Sequence, residues 1–263
     1  MQDQPARDSA RLTGCGVLII RPAGLGEELA QRVREEGGCA IVFPAIVVLP
    51  PTRPRHLEAL IDRLHTFDWG VFVSPTAVRE GLRAVQARRA WPAQPRMAAI
   101  GRGTAAALHG LGFDNLTAPE APGDTEALLA LPVFQDVAGQ NIVVFRGEGG
   151  REKLARSLAE RGARVEYAEC YRRARPEADV SHLLERWRAG SIQAVCAASR
   201  ESLANLRDML GQVAAEMLWA TPVFVPHPRV ANAARELGCA RAIVVTGGDA
   251  ATLEALAAFF AKV

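Results

Sequence analysis

Hydroxyl side chains follow two apolar runs of the sequence, at the points where helices are expected to begin. Ser74 and Thr76 come directly after one run, and Ser199 and Ser202 come after another, 125 residues further on. A hydroxyl at such a point caps the helix by accepting a hydrogen bond from one of its first N–H groups. The same N–H groups, at the positive end of the helix, also bind carboxylates or phosphates. Both interpretations stay open, and the second predicts an anion-binding site.

A glycine-containing turn offers a second place for chemistry. Residues 101–106 read Gly-Arg-Gly-Thr-Ala-Ala, follow an apolar strand, and precede Glu120 by roughly 20 residues, as a dinucleotide fingerprint requires. However, the motif lies in the middle of a domain, and the matching residues 226–231 lack both glycines. We therefore favour an anion-binding turn at Gly101 with Thr104 as its cap, and His227 marks the matching turn. A nucleotide-dependent enzyme remains an alternative.

Two arginines stand at matching strand ends. Arg21 follows the apolar residues 17–20, and Arg146 follows residues 142–145. An arginine at the carboxyl end of a parallel strand faces the crevice in which ligands usually bind, so both are candidate substrate contacts. A surface ion pair is the alternative for each. Gly147 opens a glycine-rich loop that can approach a bulky ligand closely.

The cysteines and histidines do not form a metal site or a familiar nucleophile motif. The five cysteines stand apart from one another without a C-x-x-C pair, and we expect all of them to be small core residues. The five histidines form no H-x-x-x-H pair, and no G-x-S-x-G sequence is present. The sequence therefore predicts no metal ligands.

Alternating strands and helices must position these side chains. Residues 17–20 form an apolar run, and residues 27–36 carry Leu29, Ala30 and Val33 at helical spacing before another apolar run at residues 39–43. This alternation continues along the chain. It predicts an α/β fold with mostly parallel sheets flanked by helices, whose functional loops follow the carboxyl ends of the strands.

The pattern repeats at a fixed offset of 125 residues. Residues 142–145 match residues 17–20, and residues 197–203 match residues 72–78. Leu154 likewise matches Leu29. Because one offset relates several motifs, we infer an internal duplication of an α/β unit of about 125 residues.

Two extended stretches, residues 43–51 and 165–175, interrupt the pattern. Both are expected to be paired linker strands, which makes one domain an insertion in the other. A division at the duplication boundary is the simpler alternative, but the linker strands favour the insertion. The prediction is a first α/β domain of residues 14–45 plus 172–263 and an inserted second domain of residues 46–171. Residues 1–13 are expected to be a disordered lead-in.

Composition restricts the class of protein. The net charge is only +2, which excludes the strongly basic field of a nucleic-acid binder. Without an apolar run of about 18 residues or a signal peptide, we expect a cytoplasmic protein that does not enter a membrane. Monomer is the default expectation. An intracellular two-domain ligand-binding module without catalysis also fits this architecture.

Several motifs, in this order along the chain, resemble the uroporphyrinogen-III synthase family. The resemblance extends from residue 17 to residue 259. Its motifs are Arg21-Pro22, Phe67-Asp68-Trp69 with Ser74, Gly101 to Thr104-Ala105, Arg146-Gly147-Glu148-Gly149-Gly150-Arg151, Arg161-Gly162-Ala163 and Tyr171-Arg172-Arg173. The resemblance implies two α/β domains joined by a two-stranded linker.

The resemblance also implies a reaction, the cyclisation of hydroxymethylbilane with loss of water and inversion of ring D, in the pathway to heme. It implies no metal or organic cofactor, and its expected partners are this substrate and a transient contact with hydroxymethylbilane synthase. Tyr171 matches the family's linker tyrosine, either as the acid that assists departure of hydroxide or as a packing residue. Ser74, Ser199 and Thr104 match family hydroxyl positions. Ala198 departs from the threonine usual before the second serine, which weakens the expectation for Ser199.

Overall fold

The computed structural model describes residues 10–22, 24–120 and 123–262. Contacts divide the chain into two units, of which the first holds the chain up to Val47 and again from Ala174, and the second is Val48–Arg173. The sequence placed these divisions after residues 45 and 171. That each unit is a domain able to fold alone stays a prediction.

Strands and helices alternate along both units. The strands are β1 Gly16–Ile20, β2 Cys39–Val42, β3 Val47–Leu49, β4 Trp69–Phe72, β5 Arg96–Ala99, β6 Leu116–Thr117, β7 Asn141–Gly147, β8 Arg164–Ala174, β9 Ala194–Ala197, β10 Val223–Val225 and β11 Ala242–Val244. The helices are α1 Glu27–Glu35, α2 Pro54–Asp62, α3 Pro75–Gln86, α4 Arg102–His109, α5 Thr125–Ala130, α6 Lys153–Glu160, α7 Ser181–Arg188, α8 Arg200–Ala220, α9 Pro228–Glu236 and α10 Gly248–Phe260.

The first unit is built on a five-stranded parallel sheet of order β11-β10-β9-β1-β2. Its interior strand β1 is buried at every position, and successive side chains enter opposite cores. Leu18 and Ile20 pack in the core that includes α7 and α8, while Val17 and Ile19 pack with α1 and α10. The predicted α/β class, with helices on both faces of the sheet, is confirmed here.

The second unit contains a six-stranded sheet of order β3-β8-β7-β4-β5-β6. The pairs β4–β5, β4–β7, β5–β6 and β7–β8 are parallel. One face packs against a core with Phe72 and Phe145, whose rings stack at 4.6 Å between centroids. The other face packs against a core with Trp69 and Phe134. Because both faces are covered, the central strands carry apolar side chains in both directions.

The predicted duplication appears in the order of the strands. The 125-residue offset equates β1, β9 and β10 with β7, β4 and β5, and following the chain in both copies equates β2 and β11 with β8 and β6. The order β11-β10-β9-β1-β2 then becomes β6-β5-β4-β7-β8, which is the order of the second sheet without β3. Each sheet therefore combines the first part of one copy with the second part of the other.

The predicted linker strands are confirmed as neighbours, because β3 lies beside β8 in the second sheet. The chain passes between the units at the start of β3 and near the end of β8. Most of β8 also pairs with β7, so it is a full member of the sheet. Long-range pairing of this kind has no local sequence signal.

The expected disordered lead-in is contradicted by the first residues that the structure describes. Residues 1–9 lie outside the described residues. Leu12 is fully buried and packs with Val17, and Arg11 forms ion pairs with Glu36 at 2.7 Å and Glu254 at 2.8 Å. The prediction of disorder is therefore wrong for residues 11–13, because one apolar anchor and one ion-pair cluster lie within a polar segment.

Candidate active site

The carboxyl ends of parallel strands in the second unit bring several predicted residues to one edge of the sheet. Ser74 follows β4, Gly101 follows β5, and β7 ends with Arg146 and Gly147. Tyr171 lies near the end of β8, opposite Gly147. This edge is where doubly wound folds bind ligands, so it is the candidate site of the second unit.

A hydroxyl pair lies at this edge. Ser74 is the N-cap of α3, and its Oγ accepts a hydrogen bond from the backbone N–H of Ala77 at 3.0 Å. The same Oγ lies 3.4 Å from the hydroxyl oxygen of Tyr171, whose side chain is only 3% exposed. Because a serine hydroxyl donates one hydrogen bond and accepts two, Ser74 can cap the helix and orient the tyrosine at once. Half-buried Thr76 lies in the first turn of the same helix.

Arg146 is buried, with 5% of its surface exposed. Its guanidinium lies over the ring of Tyr167 at 4.4 Å, and its Nε donates to the backbone oxygen of Gly147 at 3.1 Å. Among the described residues, none supplies a carboxylate to it. A desolvated guanidinium without a counter-ion attracts an anion strongly, so the geometry leaves Arg146 available for a carboxylate.

The turn at Gly101 is shaped by close contact with a second segment. A Cβ atom at Gly101 would lie 2.4 Å from the Cα of Gly123, so only glycine fits there. The prediction of Thr104 as the cap is wrong, because Gly101 is itself the N-cap of α4 and no side chain caps it. Thr104 is the third residue of the helix and is buried, at 3% exposure. Ala106 is exposed, whereas the third small residue of a dinucleotide fingerprint packs its helix against the strand. The geometry therefore argues against the nucleotide alternative.

The glycine-rich loop after β7 is tethered. The carboxylate of Glu148 accepts hydrogen bonds from the backbone N–H of Thr52 at 2.5 Å and from its hydroxyl at 2.7 Å. These bonds lower the pKa of Glu148 below its usual value. A Cβ at Gly150 would lie 2.7 Å from an Nη atom of Arg146, so this glycine allows the loop to cover the guanidinium. The glycine-rich loop is thus anchored at its second residue.

The corresponding edge of the first unit repeats the helix caps. Ser199 caps α8, and its Oγ accepts from the backbone N–H of Ser202 at 3.1 Å. Ser202 is fully buried, and its hydroxyl donates to the backbone oxygen of Ser199 at 2.8 Å. His227 is exposed and caps α9 by accepting from the N–H of Arg229 through Nδ1 at 3.0 Å. Ser202 therefore holds the turn in place, while Ser199 and His227 remain at the surface of the edge.

Arg21 forms an ion pair, which was one of the two possibilities that the sequence left open for it. Its guanidinium lies 2.7 Å from a carboxylate oxygen of Asp249, and both side chains are less than one fifth exposed. Asp249 belongs to the first turn of α10, which begins at the second of two glycines with positive φ, Gly247 and Gly248. Asp249 was not among the predicted site residues, although the Gly-Gly pair after a strand signals such a turn.

The thiols differ from expectation in one case. Cys170, Cys196 and Cys239 are buried and Cys15 is half-buried, but Cys39 is exposed. Cys39 opens the edge strand β2, with an Nη atom of Arg186 at 3.7 Å from its sulfur. No group of three metal-binding side chains is found in residues 10–22, 24–120 and 123–262. Within the same ranges, no helix is long and apolar enough to cross a membrane.

Comparison with known proteins matches this chain to one protein family and to similar proteins that share its name. The family described as "Uroporphyrinogen-III synthase HemD" matches residues 27–257. The uroporphyrinogen-III synthase of Salmonella typhimurium is 37% identical over 227 residues, covering 84% of this chain and 91% of that protein. The Escherichia coli synthase is 35% identical over 224 residues, with the same two coverages.

Solved structures share the fold. A mutant uroporphyrinogen III synthase from Thermus thermophilus superposes with a TM-score of 0.64 at 18% identity, covering 95% of this chain and all of that one. The Helicobacter pylori enzyme gives a TM-score of 0.58 at 13% identity, covering 93% and 99%. Since the family matches most of the sequence and two relatives exceed 30% identity, the chain belongs to the uroporphyrinogen-III synthase family.

Proposed function

We propose that this enzyme closes hydroxymethylbilane into uroporphyrinogen III, with loss of water and inversion of ring D, and that Tyr171 assists the loss of water. The observation that carries the choice of site is the hydroxyl pair of Ser74 and Tyr171, at the strand edge of a chain of this family. The matched relatives carry the name of the same synthase.

Tyr171 acts as the acid of the first step. As the C–O bond of the terminal hydroxymethyl group breaks, the phenolic proton passes to the departing hydroxide and forms water. The remaining azafulvene is attacked by the substituted carbon of ring D, which forms a C–C bond and gives a spiro intermediate. The bond from that carbon to the methylene bridge of ring C then breaks, and the bridge carbon bonds instead to the unsubstituted α-carbon of ring D, which leaves the ring inverted. The proton released when the last pyrrole regains aromaticity restores the phenol. Ser74, at 3.4 Å, holds the phenolic oxygen during both transfers.

Carboxylate binding controls which carbon attacks. The substrate carries eight carboxylates, and capped helix N-termini bind carboxylates without a high net positive charge. In the second unit the proposed contacts are Ser74, Thr76, Gly101, Thr104, Arg146 and Gly147. In the first unit they are Arg21, Ser199 and His227, while the fully buried Ser202, a predicted contact, holds the turn of Ser199 in place. Holding the bilane folded favours the inverted product over the unaided closure, which gives the uninverted isomer.

We propose no metal or organic cofactor in this reaction, because every step above is a proton transfer or a C–C or C–O bond change within the substrate. A cytoplasmic location and a monomeric state remain predictions from the sequence, and a transient contact with hydroxymethylbilane synthase remains a prediction from the resemblance to the family.

A coupled assay tests the proposal. The protein is mixed with hydroxymethylbilane formed in situ, and the oxidised porphyrins are separated by isomer. We expect mostly isomer III with protein and isomer I without it. Persistence of isomer I at high concentrations of folded protein contradicts the synthase function and favours the binding module. For Tyr171→Phe we expect kcat to fall by about 10²- to 10⁴-fold, as for loss of a general acid.

A further inference from the structure

The pairing of β7 with β8 contains one extra residue. From Asn141↔Arg164 to Arg146↔Glu169 the two strands advance in step, but the next pair is Gly147↔Tyr171. Cys170 is therefore the additional residue of a β-bulge. Its thiol lies 3.2 Å from the backbone oxygen of Arg146 and 3.7 Å from that of Ala77, which fixes the bulge against α3. A bulge changes the direction of the side chains that follow it.

The bulge decides which face of the sheet Tyr171 occupies. In a regular strand, side chains alternate, so residues 167, 169 and 171 would share one face. Tyr167 does pack against the core that contains Trp69. The opposite core, beside α3, contains Ala168 and Cys170, as alternation requires. It also contains Tyr171, which alternation would place with Tyr167. Without the extra residue, the phenol would lie on the face away from Ser74.

Gly147 fixes the position of the ring on that face. A Cβ atom at Gly147 would lie 2.7 Å from Cε2 and Cζ of Tyr171 and 3.1 Å from its hydroxyl oxygen. These are the distal atoms of the side chain, so any substituent at residue 147 must displace the phenol. A backbone hydrogen bond also joins the two strand ends, since the N–H of Glu148 donates to the main-chain carbonyl oxygen of Tyr171 at 2.9 Å.

We infer that the bulge at Cys170 and the bare Cα of Gly147 together direct the Tyr171 hydroxyl toward Ser74, which makes Gly147 a positioning residue. The catalytic role of Gly147 rests on the proposed function, whereas the contact between residue 147 and the phenol ring does not. Gly147 acts through the phenol, and contact with substrate is not required of it. The glycine's position after a strand is thus explained by the ring that it must accommodate.

The test uses the presence of only two tyrosines in the chain, Tyr167 and Tyr171. Protein labelled with 3-fluorotyrosine should give two 19F resonances, which Tyr171→Phe assigns. In Gly147→Ala we expect the Tyr171 resonance to move further than that of Tyr167, and kcat to fall by roughly 10²-fold, as for a misplacement of about 1 Å. The matched control is Gly110→Ala, where the nearest atom to the new Cβ is 3.4 Å away. It should change neither resonance nor kcat.

A second variant covers the case in which Gly147→Ala does not fold. Replacing the ring in Gly147→Ala/Tyr171→Ala removes the atoms that the new methyl group meets, so this double variant should fold. If it also fails to fold, residue 147 is constrained by the backbone and the inference is wrong. An unmoved Tyr171 resonance in folded Gly147→Ala overturns it as well. If the Tyr171 resonance moves in Gly147→Ala but the wild-type protein yields no isomer III, the positioning is supported and the synthase function is refuted.

Discussion

Arg146→Met should separate stability from activity, because Arg146 is buried without a carboxylate partner among the described residues. The change removes the hydrogen bond to Gly147, worth ~1.5–3 kcal/mol for a charged donor, and the stacking on Tyr167, worth ~0.5–1 kcal/mol. It also removes a desolvation cost of several kcal/mol for a buried, unpaired ion. These terms oppose each other. We therefore expect the free energy of unfolding to fall by no more than about 1 kcal/mol, or to rise.

The effect on catalysis should be much larger. If the guanidinium binds a substrate carboxylate, its loss removes a charge-assisted hydrogen bond of ~1.5–3 kcal/mol, which lowers kcat/KM by about 10- to 150-fold. Unfolding in urea, followed by tryptophan fluorescence, gives the stability, and the isomer assay gives kcat/KM. Arg146→Lys keeps the charge but loses the planar fork, so its kcat/KM should lie between those of the wild type and Arg146→Met.

Arg161→Met is the matched control. The Arg161 guanidinium donates to the backbone oxygens of Leu129 at 2.8 Å and Phe134 at 2.7 Å. Its removal takes both bonds away and leaves Leu129 only the one from the Gln135 amide at 2.7 Å. We expect a loss of ~1–3 kcal/mol in stability with unchanged kcat/KM. If Arg146→Met loses more than ~2 kcal/mol of stability and keeps its kcat/KM, Arg146 is a structural residue and the reasoning is refuted.

Three further predictions concern a helix cap, a thiol and a carboxylate. Ser199→Ala should lose ~1 kcal/mol of stability in urea unfolding, while Ser199→Asp should keep the cap but raise KM by repelling carboxylates. A thiol reagent at pH 7 should label exposed Cys39 first, whereas burial raises the pKa of Cys170 to about 12. Fast labelling that persists in Cys39→Ser contradicts this. The hydrogen bond from Arg63 lowers the pKa of Glu166, so this pair stabilises the fold above pH ~4.3 and that contribution is lost as the pH falls further. Urea midpoints of wild type and Glu166→Gln should therefore converge toward pH 3.

The sequence predicted features that depend on neighbouring residues. Ser74 and Ser199 cap their helices as expected, because a cap is formed within four residues of chain. The strand ends were also located, since the alternation of apolar runs and helices is local. The 125-residue offset then carried the architecture from one copy to the other, although no single motif was distinctive.

Features that depend on partners distant in the chain were not predicted. Asp249 pairs with Arg21 across 228 positions, and no local pattern links them. The bulge at Cys170 depends on register between β7 and β8, which one strand alone does not reveal. Cys39 looked like a core residue within an apolar run, but β2 is an edge strand of its sheet and leaves the thiol exposed.

The exchange of halves between the two sheets has a consequence for biosynthesis. The second unit is continuous, so all of its strands have left the ribosome soon after Arg173 is made. Strand β1 pairs with β9, where Val17 lies opposite Ala194, 177 residues later. At about 5–20 residues per second, the nascent β1–α1–β2 segment must wait roughly 10 to 35 s for its partner. Chains arrested near residue 215 should therefore already protect the second unit from protease while the N-terminal segment is still cleaved.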